Sequence, residues 1–307
     1  MFERKRSSRF RATRGAAALA VAATCLAVGF AATPALGQEA PICLKVKKKL
    51  DDGVNHWFGG PDRDSVTGLR GRDKMNGGKG ADRINGGRDN DVVKGGPGND
   101  LLCGGRGGDK IRGGGGDDVI YGEEENDTIV PGPGNDRVLG SAGNDRVYGW
   151  GKAHGEIVDD GVDVLDGGFG SDKVEAGGAD RLYGFTHDDV LRTRTPAVAP
   201  AVMDGGGNDD RLYGSNAPDQ MSGGENGRDK LFGAAGSDRL YGEGNDDKLY
   251  GQVGDDLLFG GDGFDLLNGG RGRDSCDGGR LDDRARDCES RRSIERRPLA
   301  SGYAWPP

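Results

Sequence analysis

An aspartate recurs every nine residues along most of this 307-residue chain, and no other sequence feature restricts its fold so tightly. Read from Gly77, five consecutive nonapeptides are GGKGADRIN, GGRDNDVVK, GGPGNDLLC, GGRGGDKIR and GGGGDDVIY. Their shared pattern is Gly-Gly-x-Gly-x-Asp-x-apolar-x. The sixth-position residue runs unbroken through Asp64, Asp73, Asp82, Asp91, Asp100, Asp109, Asp118, Asp127, Asp136 and Asp145. The next step falls on His154. Asp163 and Asp172 resume the register, and Asp180 and Asp189 follow a one-residue deletion. Residues 193–204 (TRTPAVAPAVMD) interrupt the pattern again. It returns with Asp210 and Asp219. After a one-residue insertion, Asp229, Asp238, Asp247, Asp256, Asp265, Asp274 and Asp283 complete it.

Two positions after each Asp stands an apolar residue, as with Val66, Met75, Ile84, Val93, Leu102 and Ile111, and later Leu231, Leu240, Leu249, Leu258 and Leu267. A flexible Gly/Asp-rich linker would not keep an apolar side chain in phase with a carboxylate over such a length. The period therefore describes a folded repeat. Composition agrees on what it excludes. Leu, Ile, Val and Phe together number 57 of 307 residues. That lies under the roughly 20% below which a charged chain struggles to build a core. One large conventional enzyme core is excluded.

The first six residues of the unit form a tight turn in which glycine admits positive φ or close backbone approach. The x-apolar-x triplet is a short strand whose middle side chain points inward. Two units make an 18-residue coil with a strand on each side, and coils stack about 4.8 Å apart. Stacking brings carboxylates such as Asp82 and Asp100 together, which is unfavourable for like charges. A hard cation with oxygen ligands resolves the conflict, and Ca²⁺ suits carboxylates plus carbonyls.

These residues resemble the hemolysin-type calcium-binding repeat, or RTX nonapeptide, over about 59–192 and 205–286. The resemblance implies an all-β chain folded as a right-handed parallel β-roll, with Ca²⁺ held between successive coils. It implies that the sixth-position carboxylates from Asp64 to Asp274 bind the ion with turn carbonyls, in pairs such as Asp64 with Asp82 and Asp73 with Asp91 at an 18-residue offset. Departures are expected to matter. Glu123 and Glu125 stand where glycine belongs, Pro131 replaces a first-position glycine, and His154 and Glu156 replace the Asp and the apolar residue. Weak or missing sites are expected around His154. Unit 278–286, with Ala285 at the apolar position, is expected to cap the roll.

Residues 1–37 read as a secretory signal peptide: six basic residues in 1–14, a small apolar stretch over 15–32, and small residues before a cleavage point after Gly37. A signal anchor is the alternative, and no later segment reads as a membrane span. The expected organisation is then a cap segment 38–58, roll block 59–192, interruption 193–204, roll block 205–286 and a mobile tail 287–307. Beyond residue 37 there are 36 basic and 50 acidic residues, a net charge of −14, which disfavours nucleic acid and favours cations. Cys43, Cys103, Cys276 and Cys288 remain, an even number suited to an oxidising compartment. Of three pairings, Cys276–Cys288 with Cys43–Cys103 is favoured. Zinc is the alternative, weakened by only three His and no C-x-x-C.

Aromatic residues recur at the ninth position, with Phe232 and Tyr250, and Tyr241 and Phe259, each 18 apart. Cross-strand pairing is the expectation, and a stacking surface for sugars the alternative. Basic residues recur at the seventh position (Arg83, Lys110, Arg137, Arg146, Lys173, Arg211, Lys230, Arg239 and Lys248). At net −14 they read as a solvated face rather than a polyanion site. No H-E-x-x-H, G-x-S-x-G or phosphate-loop signature is present, and the span between the signal and the first repeat leaves no room for a catalytic domain. The expectation is a secreted, non-enzymatic calcium-binding protein with a structural role or a role at a surface or matrix, where a surface glycan is a candidate partner. The alternative is an extracellular enzyme acting on polysaccharide or protein through an unrecognised site.

Overall fold

A computed structural model describes residues 48–149, 151–153, 156–158, 161–194 and 199–292, all of them within one compact unit. Every regular element among them is a β-strand. Strands alternate between two sheets as the chain advances. Sheet A takes β3 (Ser65–Thr67), β5 (Arg83–Arg88), β7 (Leu101–Arg106) and β9 (Val119–Glu124). Sheet B takes β2 (His56–Phe58), β4 (Lys74–Asn76), β6 (Val92–Pro97) and β8 (Lys110–Gly115). Each strand pairs in parallel with the strand one coil away, as in Ile84↔Leu102 on sheet A and Val93↔Ile111 on sheet B. The sheets reach 14 and 13 strands, giving the parallel β-roll expected from the repeat, a solenoid of about 13 turns.

The core is a double file with one inward residue per nonapeptide. Val66, Ile84, Leu102 and Ile120 enter from sheet A, and Met75, Val93, Ile111 and Ile129 from sheet B, all buried. A second cluster lies outside sheet A at Cys103 and Tyr121; near Leu240 no such cluster is found among the described residues, so a truncation there cannot be filled from the side. Leu240→Ala is expected to cost about 2–5 kcal/mol, read by denaturant unfolding in excess calcium. Because a coil touches only its neighbours, the loss should open the roll near Leu240 first.

Two interruptions are resolved differently. After β12 (Arg146–Tyr148), strands β13 (Gly151–Ala153) and β14 (Glu156–Val158) form a separate antiparallel pair before β15 (Val164–Phe169) rejoins sheet A. The coil here is 27 residues long, so Val138 pairs with Leu165 and Val147 with Val174. One whole nonapeptide has left the roll, and counting by eighteen from Asp145 to Asp163 picks the wrong neighbour. His154 itself lies outside the described residues.

At 193–204 the sheets continue. There β19 (Val202–Asp204) pairs between β17 (Arg181–Thr186) and β21 (Gln220–Gly224) and buries Met203 in the core.

At the C-terminal end, Ala285 of β28 (Arg284–Arg286) packs on the core. One further strand, β29 (Ser290–Arg292), follows on sheet A within the segment expected to be a mobile tail. Cys276 and Cys288 are disulfide-bonded, as expected. Cys103 is also disulfide-bonded, while its expected partner Cys43 and the signal segment 1–37 lie outside the described residues.

Candidate metal sites

The repeat places its aspartates in two files, one at the entrance to each sheet. The sheet A file is Asp64, Asp82, Asp100, Asp118, Asp136, Asp163 and Asp180, then Ala201, then Asp219, Asp238, Asp256 and Asp274, ending on Glu289. The sheet B file begins at Asn55 and continues through Asp73, Asp91, Asp109, Asp127, Asp145, Asp172, Asp189, Asp210, Asp229, Asp247, Asp265 and Asp283.

One hydrogen bond builds both files. Except at Asp180, which Ala201 follows, and at the ends of the files, the backbone N–H of each Asp donates to Oδ1 of the Asp one coil further on, at 2.7 Å for Asp64 to Asp82 and 2.7 Å for Asp82 to Asp100. The carbonyl of the same Asp accepts from the first strand residue of that next coil, as Asp64 does from the Arg83 N–H at 2.9 Å. The offset is 18 along the regular runs, 27 across the β13–β14 excursion and 17 after the deletion. It is 21 from Asp189 to Asp210 and 19 from Asp210 to Asp229.

The second oxygen distinguishes the sites. In twenty of the sixth-position aspartates Oδ2 is buried and has no hydrogen-bond partner. In eighteen of them, all but Asp136 and Asp163, the oxygen is turned toward the first glycine of its own unit; Pro131 and Val158 stand at that position in the other two. A Cβ added to Gly77 would stand 2.1 Å from Asp82 Oδ2 and 2.7 Å from the Gly95 carbonyl oxygen. At Gly113 it would stand 2.2 Å from Asp118 Oδ2 and 2.4 Å from the Pro131 carbonyl oxygen. Glycine thus keeps open a cradle where a carboxylate and a carbonyl from the next coil converge.

Three sites differ. Oδ2 accepts from the Gly60 N–H in Asp64, from the Gly177 N–H in Asp180, and from the Ser215 N–H and hydroxyl in Asp219. Their second oxygen is satisfied inside the turn.

Burial shifts many of the file carboxyls upward from the ordinary 3.8. Asp118 and Asp127 are raised to about 8, and Asp189 and Asp247 to about 9. Loss of hydration is the main cause. The neighbouring N–H pulls the other way, and the carboxylates above and below push further up. A buried oxygen with neither donor nor counter-charge is costly, so these sites call for a cation or a proton.

The donors are carboxylate and carbonyl oxygens, a set suited to Ca²⁺. Among the described residues no group of three or more His, Cys, Asp or Glu side chains gathers to hold a metal by itself. Backbone carbonyls would therefore share the coordination, and Cys103, Cys276 and Cys288 are engaged in disulfides rather than standing as thiolate ligands.

Sequence reasoning missed three members of the files. Asn55 lies nine residues before Asp64 and could have been found by stepping back once. Ala201 lies nine residues before Asp210 and could have been found the same way, whereas Glu289 falls out of phase and only the coil geometry places it.

Outside the files, Phe232 stacks on Tyr250 at 5.0 Å and Tyr241 on Phe259 at 5.1 Å, the expected cross-strand pairs. Tyr213 extends the first ladder, stacking on Phe232 at 5.0 Å.

The RTX calcium-binding nonapeptide repeat family matches residues 58–93, 94–129, 130–151, 157–184, 204–226, 223–258 and 250–285. Among solved structures, a hyperactive, Ca²⁺-dependent, β-helical antifreeze protein from an Antarctic bacterium is similar at 19% identity. That alignment covers 78% of this chain and 77% of that one, with a TM-score of 0.35. No curated protein matches the chain.

Proposed function

Because the chain belongs to the RTX calcium-binding nonapeptide repeat family, we propose that it is a secreted, non-enzymatic scaffold whose roll is completed by calcium at its turns. The observation that carries this reading is the set of buried Oδ2 atoms that accept no hydrogen bond, such as those of Asp82, Asp100, Asp118 and Asp247. Calcium would supply the positive charge these oxygens lack.

The chain's own residues do the rest. Along the regular runs the Asp backbone N–H fixes the carboxylate of the next coil through Oδ1, leaving Oδ2 aimed into the glycine cradle. In units such as those of Gly77 and Gly113 a carbonyl from the following coil reaches the same place. Asp73 through Asp127, Asp145, Asp172, Asp189, Asp210 and Asp229 through Asp283 have the glycine cradle, while Asp136 and Asp163 have Pro131 and Val158 in its place. Asp64, Asp180 and Asp219 serve as structural links whose second oxygen is already bonded. Secretion is supported by the signal-like residues 1–37 and by the disulfide between Cys276 and Cys288. A role at a surface or matrix is read from the two broad sheets that the roll presents.

Far-UV circular dichroism during calcium titration tests the reading. The sheet signal is expected to rise steeply as calcium approaches the roughly 10⁻⁴–10⁻³ M range of extracellular sites. A spectrum identical in metal-free buffer and in excess calcium would refute it.

A further inference from the structure

Charge is distributed unequally between the two faces of the roll. On sheet B, the residues flanking the inward position from β2 to β28 include twelve Lys or Arg and one carboxylate, Glu175, which is paired with Lys173. The same positions of sheet A from β3 to β29 hold five Arg and three Asp. None of the sheet B flanking residues is buried. Among the described residues no carboxylate forms an ion pair with Lys74, Lys94, Lys110, Arg112, Arg211 or Lys248. The cations stand in rows on rungs about 4.8 Å apart. At β6 and β8, Lys94 and Arg112 border, with Lys79, a shallow groove of about 680 Å³.

The net charge of −14 over residues 38–307 does not oppose a polyanion at this face. Of the 50 acids in that span, 23 are the sixth-position aspartates, all but Asp64 buried in the files. Setting those aside leaves 27 acids against 36 bases. With the files neutralised, the exterior carries an excess of positive charge, and sheet B concentrates it.

The aromatic residues of the same face limit what can bind. Tyr213, Phe232 and Tyr250 stack on one another with planes 5° and 3° apart, and the Arg192 guanidinium covers Tyr213 at 4.6 Å. Their ring faces are used within the ladder. Bases of a single-stranded nucleic acid need free ring faces, and the phosphates of a duplex curve away from a flat sheet.

We propose that the outer face of sheet B docks an extended anionic polysaccharide, with its carboxylates or sulfates lying over the Lys and Arg rows. This rests on the calcium-completed scaffold proposed above. The reversal K94E/K110E/R112E tests it in the full chain in millimolar calcium, against the sheet A reversal R137E/R181E/R239E. Immobilised heparin presents sulfates and hyaluronate presents carboxylates, with dextran and single-stranded and duplex DNA for comparison.

Retention on heparin or hyaluronate but not dextran is expected, falling as salt rises. The sheet B reversal is expected to weaken binding at least about tenfold and the sheet A reversal much less, with both keeping the calcium-induced sheet signal. A chain that forms the sheet but ignores both acidic polymers overturns the proposal. So does equal weakening by the two reversals, or DNA bound as tightly as polysaccharide. A chain that forms no sheet in calcium overturns the scaffold reading instead, and circular dichroism separates the two failures.

Discussion

At pH 7 without calcium the chain is expected to lose most of its sheet, and acidification to about pH 4 is expected to restore part of it with no metal present. The sign follows from the buried carboxyls. Their folded-state values are raised, to about 6 for Asp100 and Asp145, about 8 for Asp118 and Asp127, and about 9 for Asp189 and Asp247. Burial is the main cause in each. In the unfolded chain they return to about 3.9. The folded chain therefore holds these protons more tightly than the unfolded one. The stability so gained is complete below the unfolded value and is lost as pH rises through 6 to 9. At neutral pH the protons are leaving and calcium must take their place. Dialysed, metal-free protein followed by circular dichroism from pH 8 to pH 4 measures the effect. A metal-free spectrum that stays flat across this range would contradict the account, because the buried carboxyls would then have no hold on the fold.

The sheets, the inward file and the carboxylate files were legible because each rests on one residue type at one phase. Ile84 and Leu102, or Asp82 and Asp100, announce their contact by an offset of 18 alone. What stayed hidden preserves that phase while changing the geometry. The β13–β14 excursion removes nine residues, so Asp163 remains in register by count while moving to the opposite sheet. That shift sets Lys173 beside Arg146 on sheet B and helps gather the basic rows on one face, where alternation by nine would divide them between two.

Nor could the sequence separate Asp219 from Asp229. Both are sixth-position aspartates, and only the Ser215 hydroxyl and N–H, folded back onto Oδ2, make one of them self-satisfied. Glu123 and Glu125 show the converse. They stand where glycine belongs, yet they hold φ of 84° and 77°. The stacked coils on both sides impose the turn at a cost of order 1–3 kcal/mol per strained residue.

Gly113→Ala and Gly115→Ala, two residues apart in one turn, are expected to differ sharply. A methyl at 113 meets Asp118 Oδ2 at 2.2 Å and the Pro131 carbonyl oxygen at 2.4 Å. Neither can retreat freely. Pro131 O accepts the Gly114 N–H at 2.8 Å, and the other oxygen of Asp118 accepts the Asp100 N–H at 2.8 Å. Swinging the carboxylate aside frees the methyl but leaves a buried N–H without its acceptor and takes Oδ2 out of the cradle. Crowding alone should cost about 1–3 kcal/mol, and the orphaned N–H about 1–3 kcal/mol more where it is not relieved. At 115 an added Cβ meets nothing within 4 Å, so that change should stay within about 0.5 kcal/mol. Denaturant unfolding in saturating calcium, with bound calcium counted for each variant, reads both effects. Gly113→Ala should lose stability and bound calcium together, because one oxygen cradle serves both. If it lost stability while binding as much calcium as the Gly115→Ala chain, the ion would have to lie elsewhere than against Asp118 Oδ2.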